Sequence, residues 1–235
     1  MNSKFFRTFA AVSTLAGIVV TAGTASAASI SYTTSSGNYA ITNFNQTLSL
    51  QQFNTSLGTL TSVTLDVVGF INGNAKFESL DAASSLIRAN VSAILNLTKG
   101  GITLFSLNPS NSKSYQATPF DGVIDFAGTS GSTLDIILDE DVATRTLNKN
   151  LESFIGSGNV NFLLSAIADS SVTGSGNILS QIGTLAKGQL TVTYNYDAST
   201  LIKVPEASTL LGFVLIAGFG LLSQAKKSRF KISKS

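Results

Sequence analysis

The sequence predicts an all-β protein, an antiparallel β-sandwich of jelly-roll or immunoglobulin-like kind. Two observations carry that reading. From Ser29 to Asp197 apolar and polar residues alternate with a period of two, the pattern of strands with one buried face. Clusters of Gly, Asn and Ser then interrupt the alternation at intervals that suit short strands joined by tight turns. A body of about 175 residues buries enough surface to stand without disulfides, and the chain has no cysteine.

The clearest strand places Ala89, Val91, Ala93, Leu95 and Leu97 on one face and Arg88, Asn90, Ser92, Asn96 and Thr98 on the other, with Ile94 the exception. Similar runs are Val63, Leu65 and Val67; Leu134, Ile136 and Leu138 against Asp135 and Asp139; Val160, Phe162, Leu164 and Ala166; and Leu190, Val192, Tyr194 and Tyr196. Turns are predicted at Gly37-Asn38, Asn72-Gly73-Asn74, Gly100-Gly101, Asn108-Pro109, Gly128 to Gly131 and Gly156-Ser157-Gly158. Asp81 to Arg88 and Leu147 to Phe154 suit a helical turn or a loop. Roughly eight to ten strands follow from this spacing.

Both ends differ from the body. Lys4 and Arg7, an apolar stretch from Thr8 to Val20, and Ala25-Ser26-Ala27 before Ala28 have the three parts of a secretion signal, with cleavage expected after Ala27. The competing reading is a buried N-terminal helix. At the other end an apolar run from Leu210 to Leu222 precedes Lys226, Lys227, Arg229, Lys231 and Lys234. Counted from Ala207, sixteen helical residues at ~1.5 Å each reach roughly 24 Å against a hydrocarbon core of ~30 Å. A transient inner-membrane span with its basic end in the cytoplasm is expected. The domains are thus 1–27, 28–198 and 199–235.

Val204-Pro205-Glu206-Ala207-Ser208-Thr209, the apolar run and the basic tail together resemble the PEP-CTERM sorting signal. Ala207 stands where that family has its second proline. The resemblance implies processing by exosortase, a membrane protease, a Gram-negative or cyanobacterial host, and a setting of exopolysaccharide and biofilm. Pro205 also fixes an extended lead into a helix, and Glu206 suits a first helical turn, so a plain single-span anchor is the alternative.

The body is similar to the choice-of-anchor E domain in the stretch from Leu57 to Leu65, in Gly158 to Phe162 with Ser170 to Gly176, and in Leu190 to Tyr196. That resemblance implies an extracytoplasmic β-rich domain joined to differing C-terminal anchors. No activity or binding residue travels with it.

Charge and composition exclude several functions. Of 15 Lys and Arg residues, seven lie in the end segments, and 12 of 13 acidic residues lie between them. Eight basic against twelve acidic residues give the stretch from Ala28 to Val204 a formal charge of −4, so the basic pI gives no reason to expect a nucleic-acid partner. With neither His nor Cys, imidazole bases, thiolate nucleophiles and most transition-metal sites are unavailable to the chain. The carboxylates are scattered and no Gly-x-Ser-x-Gly elbow occurs, so no enzyme is expected.

Two acidic clusters, Asp139-Glu140-Asp141 and Asp121 with Asp125, offer the hard oxygens that calcium takes, although neither has EF-hand or repeat spacing. The blander expectation for the first is a solvated turn after a strand. Surface polysaccharide is a candidate ligand through Tyr32, Tyr39, Tyr115, Tyr194 or Tyr196, but Trp is absent and the last two share an inward stripe. Four Asn-x-Ser/Thr sequons, at Asn45, Asn54, Asn90 and Asn96, read as Asn- and Thr-rich strands. The function expected is that of an exported, non-enzymatic cell-surface or extracellular-matrix protein.

Overall fold

The structure is a computed structural model that describes residues 14–20 and 27–199. In chain order the strands are β1 (Thr14–Val20), β2 (Ala27–Ser35), β3 (Ala40–Ile41), β4 (Phe44–Gln51), β5 (Gly58–Ser79), β6 (Ser85–Lys99), β7 (Ile102–Leu107), β8 (Ser110–Ala117), β9 (Gly131–Leu147), β10 (Asn159–Ala168), β11 (Ser171–Thr173) and β12 (Ile178–Ala198). One sheet has the order β1-β2-β12-β5-β9, with β3 also on β12. The other has the order β11-β6-β10-β4, with β7 and β8 on β6. Strand neighbours pair antiparallel throughout.

The alternation read from the sequence sets what lies between the sheets. Val63, Leu65, Val67 and Ile71 of β5 and Leu190, Val192 and Tyr194 of β12 share one hydrophobic cluster with Val91, Ala93, Leu95 and Leu97 of β6 and with Val160, Phe162 and Leu164 of β10. None of these is more than 3% exposed. At roughly 25 cal/mol per Å2 of apolar surface, each such large side chain contributes about 1.5–3 kcal/mol on leaving water. Phe77, Ile87 and Ala117 form a second, smaller cluster.

Both long strands continue past the main core. β5 has 22 residues and β12 has 21, and their ladder runs from Ile178 opposite Ser79 to Ala198 opposite Gly58. The turn expected at Asn72-Gly73-Asn74 is therefore absent, because β5 passes straight through it. Gly73 has a packing reason instead. A Cβ there would stand 2.5 Å from the Gly183 carbonyl oxygen and 2.6 Å from a Val91 methyl, so glycine is what lets the strand approach both.

The expected inward run Leu134, Ile136 and Leu138 is also corrected. The β5–β9 register jumps between Gly73 opposite Ile137 and Ala75 opposite Leu134, which puts an extra residue into β9. A bulge of this kind reverses the faces beyond it. Ile137 is accordingly 1% exposed and Leu138 49%.

Gly100 and Gly101, at φ 58° and 81°, make the tight β6–β7 turn that the Gly-Gly pair predicts. Asp81 to Arg88 forms no helical turn, since its second half is the start of β6; Glu152–Phe154 forms one turn of 3-10 helix. Among the described residues the body has eleven strands, β2 to β12, exceeding the expected eight to ten through short pieces such as β3 and β11.

Part of the expected leader lies within the described residues. Thr14–Val20 is not a helix but a strand paired with β2, from Thr14 opposite Thr33 to Val20 opposite Ala28. Ala27 and Ala28 open β2, and Ala25 lies outside the described residues. The sorting segment from Val204 to Thr209, the run Leu210 to Leu222 and the five basic residues also lie outside them. Among the described residues no helix is long and apolar enough to cross a membrane.

Tyr194 ties the core to a strand end. Its ring packs 5.8 Å from that of Phe53 and 6.0 Å from that of Tyr32, and its hydroxyl donates to the Gln51 carbonyl at 2.9 Å. Burial, with a smaller effect from Tyr32, pushes the Tyr194 pKa far above the ordinary 10.0. In the unfolded chain this phenol ionises near the ordinary value, so its stabilisation is whole below that pH and is lost as pH rises toward the folded value. Tyr194→Phe is expected to cost about 1 kcal/mol at neutral pH. It should also flatten the alkaline fall in stability, as measured by urea denaturation across a pH series.

Candidate functional site

The outer face of the first sheet is covered by hydroxyl and amide groups joined across strands. Ser31 bonds Thr193 at 2.8 Å, Thr33 bonds Thr191 at 2.9 Å, and Thr64 bonds Thr146 at 3.0 Å. Thr144 donates to Asp66 at 2.6 Å and Asn195 to Ser62 at 3.0 Å. Pairs of this sort follow from Thr- and Ser-rich strands whose other face is buried. They also give the sheet a surface of regularly spaced donors and acceptors.

That face is interrupted where β3, β12, β5 and β9 meet. Gly183, opposite Asn74, lacks a side chain there, and the β9 bulge places Asp135 beside Asn74. The result is an open groove of ≈ 610 Å3 lined by Ile41, Asn72, Gly73, Asn74, Asp135, Gly183, Thr184 and Leu185. Its floor is held from behind. Thr184 Oγ1 bonds Ser170 Oγ at 2.8 Å, Ser170 Oγ bonds the Ser92 carbonyl at 3.0 Å, and Thr42 Oγ1 donates to the Thr184 carbonyl at 3.0 Å. A polar chain thus crosses from one sheet to the other beneath the groove.

Beside the groove Lys187 Nζ lies 4.7 Å from the Tyr39 ring centre and 4.6 Å from that of Phe70, a cation held between two aromatic faces. Burial, and then the carboxylate of Glu140, raise the Tyr39 pKa. The groove therefore offers carboxamide and carboxyl groups between apolar walls, with one fixed cation at its side. Such a set suits a neutral, hydroxyl-rich ligand. Sequence reading named Tyr39 as a candidate but not the groove itself; the signal that marks it is the glycine at 183 inside an otherwise regular strand.

Of the five acidic residues singled out for calcium, the four aspartates are committed to backbone donors. Asp139-Glu140-Asp141 is not a turn after a strand but the middle of β9. Asp139 accepts the Ser110 N–H at 2.8 Å and Asp141 the Asn108 N–H at 2.9 Å, while Asn111 donates to the Leu138 carbonyl. The two carboxylates clasp the Asn108-Pro109 turn to the edge of the first sheet. Asp121 accepts the Val123 N–H and Asp125 the Ala127 N–H, each within its own loop. Among the described residues no group of three or more acidic side chains gathers in metal-binding geometry.

Glu78, fully buried, went unnoticed in the sequence. Its two oxygens accept from Phe126 N at 2.8 Å and Ser130 Oγ at 2.6 Å, and so fix the loop before β9 to the end of β5. Buried carboxyl groups are tolerated when their lone pairs are used in this way.

Of the tyrosines, Tyr194 and Tyr196 are buried as their stripe implies, Tyr32 packs on Tyr194, and Tyr115 packs on Phe77 and donates to the Gly128 carbonyl. Tyr39 alone of the five stands beside the groove. Asn45, Asn90 and Asn96 lie in strands, as expected, and Asn54 caps the 3-10 turn Thr55–Leu57 by accepting from Ser56 N.

No protein-family model matches the chain, and no curated protein matches it. Among solved structures, the infectious bursal disease virus VP2 subviral particle is 12% identical over 73% of this chain and 38% of its own, with a TM-score of 0.17. The structure of the Gx strain of the same virus is 11% identical over 87% of this chain and 53% of its own, with a TM-score of 0.13. The chain spans about half or less of these capsid chains, and the TM-scores carry no argument about its fold or role.

If the clasp is structural, Asp139→Ala with Asp141→Ala should lower stability by about 2 kcal/mol in thermal or urea unfolding. Calcium at millimolar concentration should leave the melting temperature of the parent unchanged. A calcium-dependent rise would show that these carboxylates serve a metal.

Proposed function

We propose that this chain is an exported, non-enzymatic bacterial surface or extracellular-matrix protein, a β-sandwich delivered by a cleaved leader and processed through its PEP-CTERM-like tail. The observation that carries the reading is the order of parts in the tail. Pro205-Glu206, an apolar run and five basic residues follow within forty residues of the last strand. An exosortase-like protease is the processing partner, and the inner membrane holds the precursor until the tail is cut. The body supplies what such a protein exposes after release: a first sheet with a polar, hydroxyl-rich outer face.

The test is the intact mass of the protein recovered from its own cells, with the fraction noted. A mass running from Ala28 to about Pro205, in the outer or extracellular fraction, is the expected result. A cell-surface form that still contains Lys234 would refute sorting by cleavage, and a full tail in the inner membrane would make it a plain anchor.

The groove favours a second reading, a module that binds surface polysaccharide. Asn72, Asn74 and Asp135 present the mixed donors and acceptors that vicinal hydroxyls need, and Ile41 and Leu185 supply apolar contact. On this reading Asp135→Ala lowers retention on the host's own polysaccharide at least several-fold in affinity electrophoresis, with the melting temperature unchanged. Equal retention of both proteins would remove the groove from consideration.

A further inference from the structure

The two lateral seams of the body are finished differently. On one side β9 forms the edge of the first sheet. It carries Asp135, Asp139, Glu140, Asp141 and Arg145, contains a bulge, and is clasped to the Asn108-Pro109 turn. Charges, bulges and coverage are the ordinary means by which an edge strand is kept from pairing with another chain. On the other side lies β2, whose sequence Ala-Ala-Ser-Ile-Ser-Tyr-Thr-Thr-Ser has no charge and no proline. Its ladder with β12 runs without a register shift from Gln189 opposite Ser35 to Asp197 opposite Ala27.

In the full chain that edge is filled by β1. The register sets Leu15 opposite Tyr32, Ile18 opposite Ile30 and Val20 opposite Ala28, with one shift between Ala16 and Ile18. The edge is thus built to take a strand, and the strand it takes is the apolar stretch of the leader. Loss of residues 1–27 would leave the eight residues from Ala28 to Ser35 as unpaired backbone edge, with Tyr32 among them.

We propose that in the processed protein this β2 edge pairs antiparallel with β2 of a second copy, joining the two first sheets into one. This rests on the removal of the leader. The strand is self-complementary about Ser31. A two-fold axis there sets Ile30 of each copy opposite Tyr32 of the other on the core side, and Ser29 opposite Thr33 on the outer side. Aromatic and β-branched residues facing each other, with hydroxyl pairs on the opposite face, are favourable cross-strand partners. No like charges meet along the strand, and the contact closes on itself as a two-fold dimer.

The experiment uses the protein exported from the full-length gene, with its intact mass measured, then light scattering and sedimentation. A dimer beginning at Ala28 is expected. Ser31→Lys sets two like charges directly opposite and should give a monomer with an unchanged circular dichroism spectrum; Ser31→Glu should do the same, and mixing the two variants should restore a dimer. Because the chain has no cysteine, Ser31→Cys gives an independent readout. Opposed residues in an antiparallel pair have Cα atoms about 4.5–5.5 Å apart, within reach of a disulfide, so mild oxidation should double the mass, while Thr193→Cys, one strand inward, should not.

A monomer that begins at Ala28 overturns the pairing and leaves the export reading intact. A dimer indifferent to Ser31→Lys, with no cross-link through Ser31→Cys, overturns it also. A recovered protein that retains residues 1–27 overturns both.

Discussion

The antiparallel ladder between β5 and β12 is the constraint on which the remainder of the structure depends. At about 3.3 Å per residue its 21 residues extend for roughly 70 Å, more than one hydrophobic core fills. The chain therefore builds two clusters along the same pair. β6, β10 and β4 cover the middle of the ribbon, while Phe77, Ile87 and Ala117 with Tyr115 and Ile178 cover one end. Most of these contacts join residues far apart in sequence, so the fold requires non-local pairing before either cluster closes.

Polar groups inside the molecule are placed where that ribbon must be joined to something else. Glu78 anchors the loop before β9, Asp139 and Asp141 hold the β7–β8 turn, and Ser92, Ser170 and Thr184 bridge the sheets under the groove. None of these tasks needs histidine or cysteine. Glu78 uses its carboxyl oxygens as acceptors for a backbone N–H and a side-chain O–H that burial would otherwise leave without water, whereas the Asp139 and Asp141 bonds lie at the exposed edge. Aspartates that look like candidate calcium ligands in the sequence are here bonded to backbone N–H groups.

What was legible in the sequence follows from how local each signal is. Ala89 through Leu97 and Leu190 through Tyr196 could be read because a strand with one dry face repeats every two residues, whatever its neighbours are. The bulge in β9 could not, since it arises from register against β5, and it reversed the reading of Leu138. Gly73 misled for a related reason. Asn-Gly-Asn is a turn signal when judged locally, but the glycine answers the close approach of Gly183 and Val91, residues distant in sequence. The groove was invisible on the same grounds, being assembled from four strands.

The ends of the body lie side by side. Ala27 faces Asp197 and Ala28 faces Tyr196 in the β2–β12 ladder, so the first and last residues of the body leave from the same end of the ribbon. Tension applied between those two ends would open the ladder like a zip, loading one residue pair at a time and needing little force. Held by the C-terminal end alone, the body carries no tension across that ladder, and the cluster around Phe77 and the loop before β9 are carried to the far end of the ribbon. A tether at one terminus and freedom at the other is thus the mechanical arrangement this topology suits.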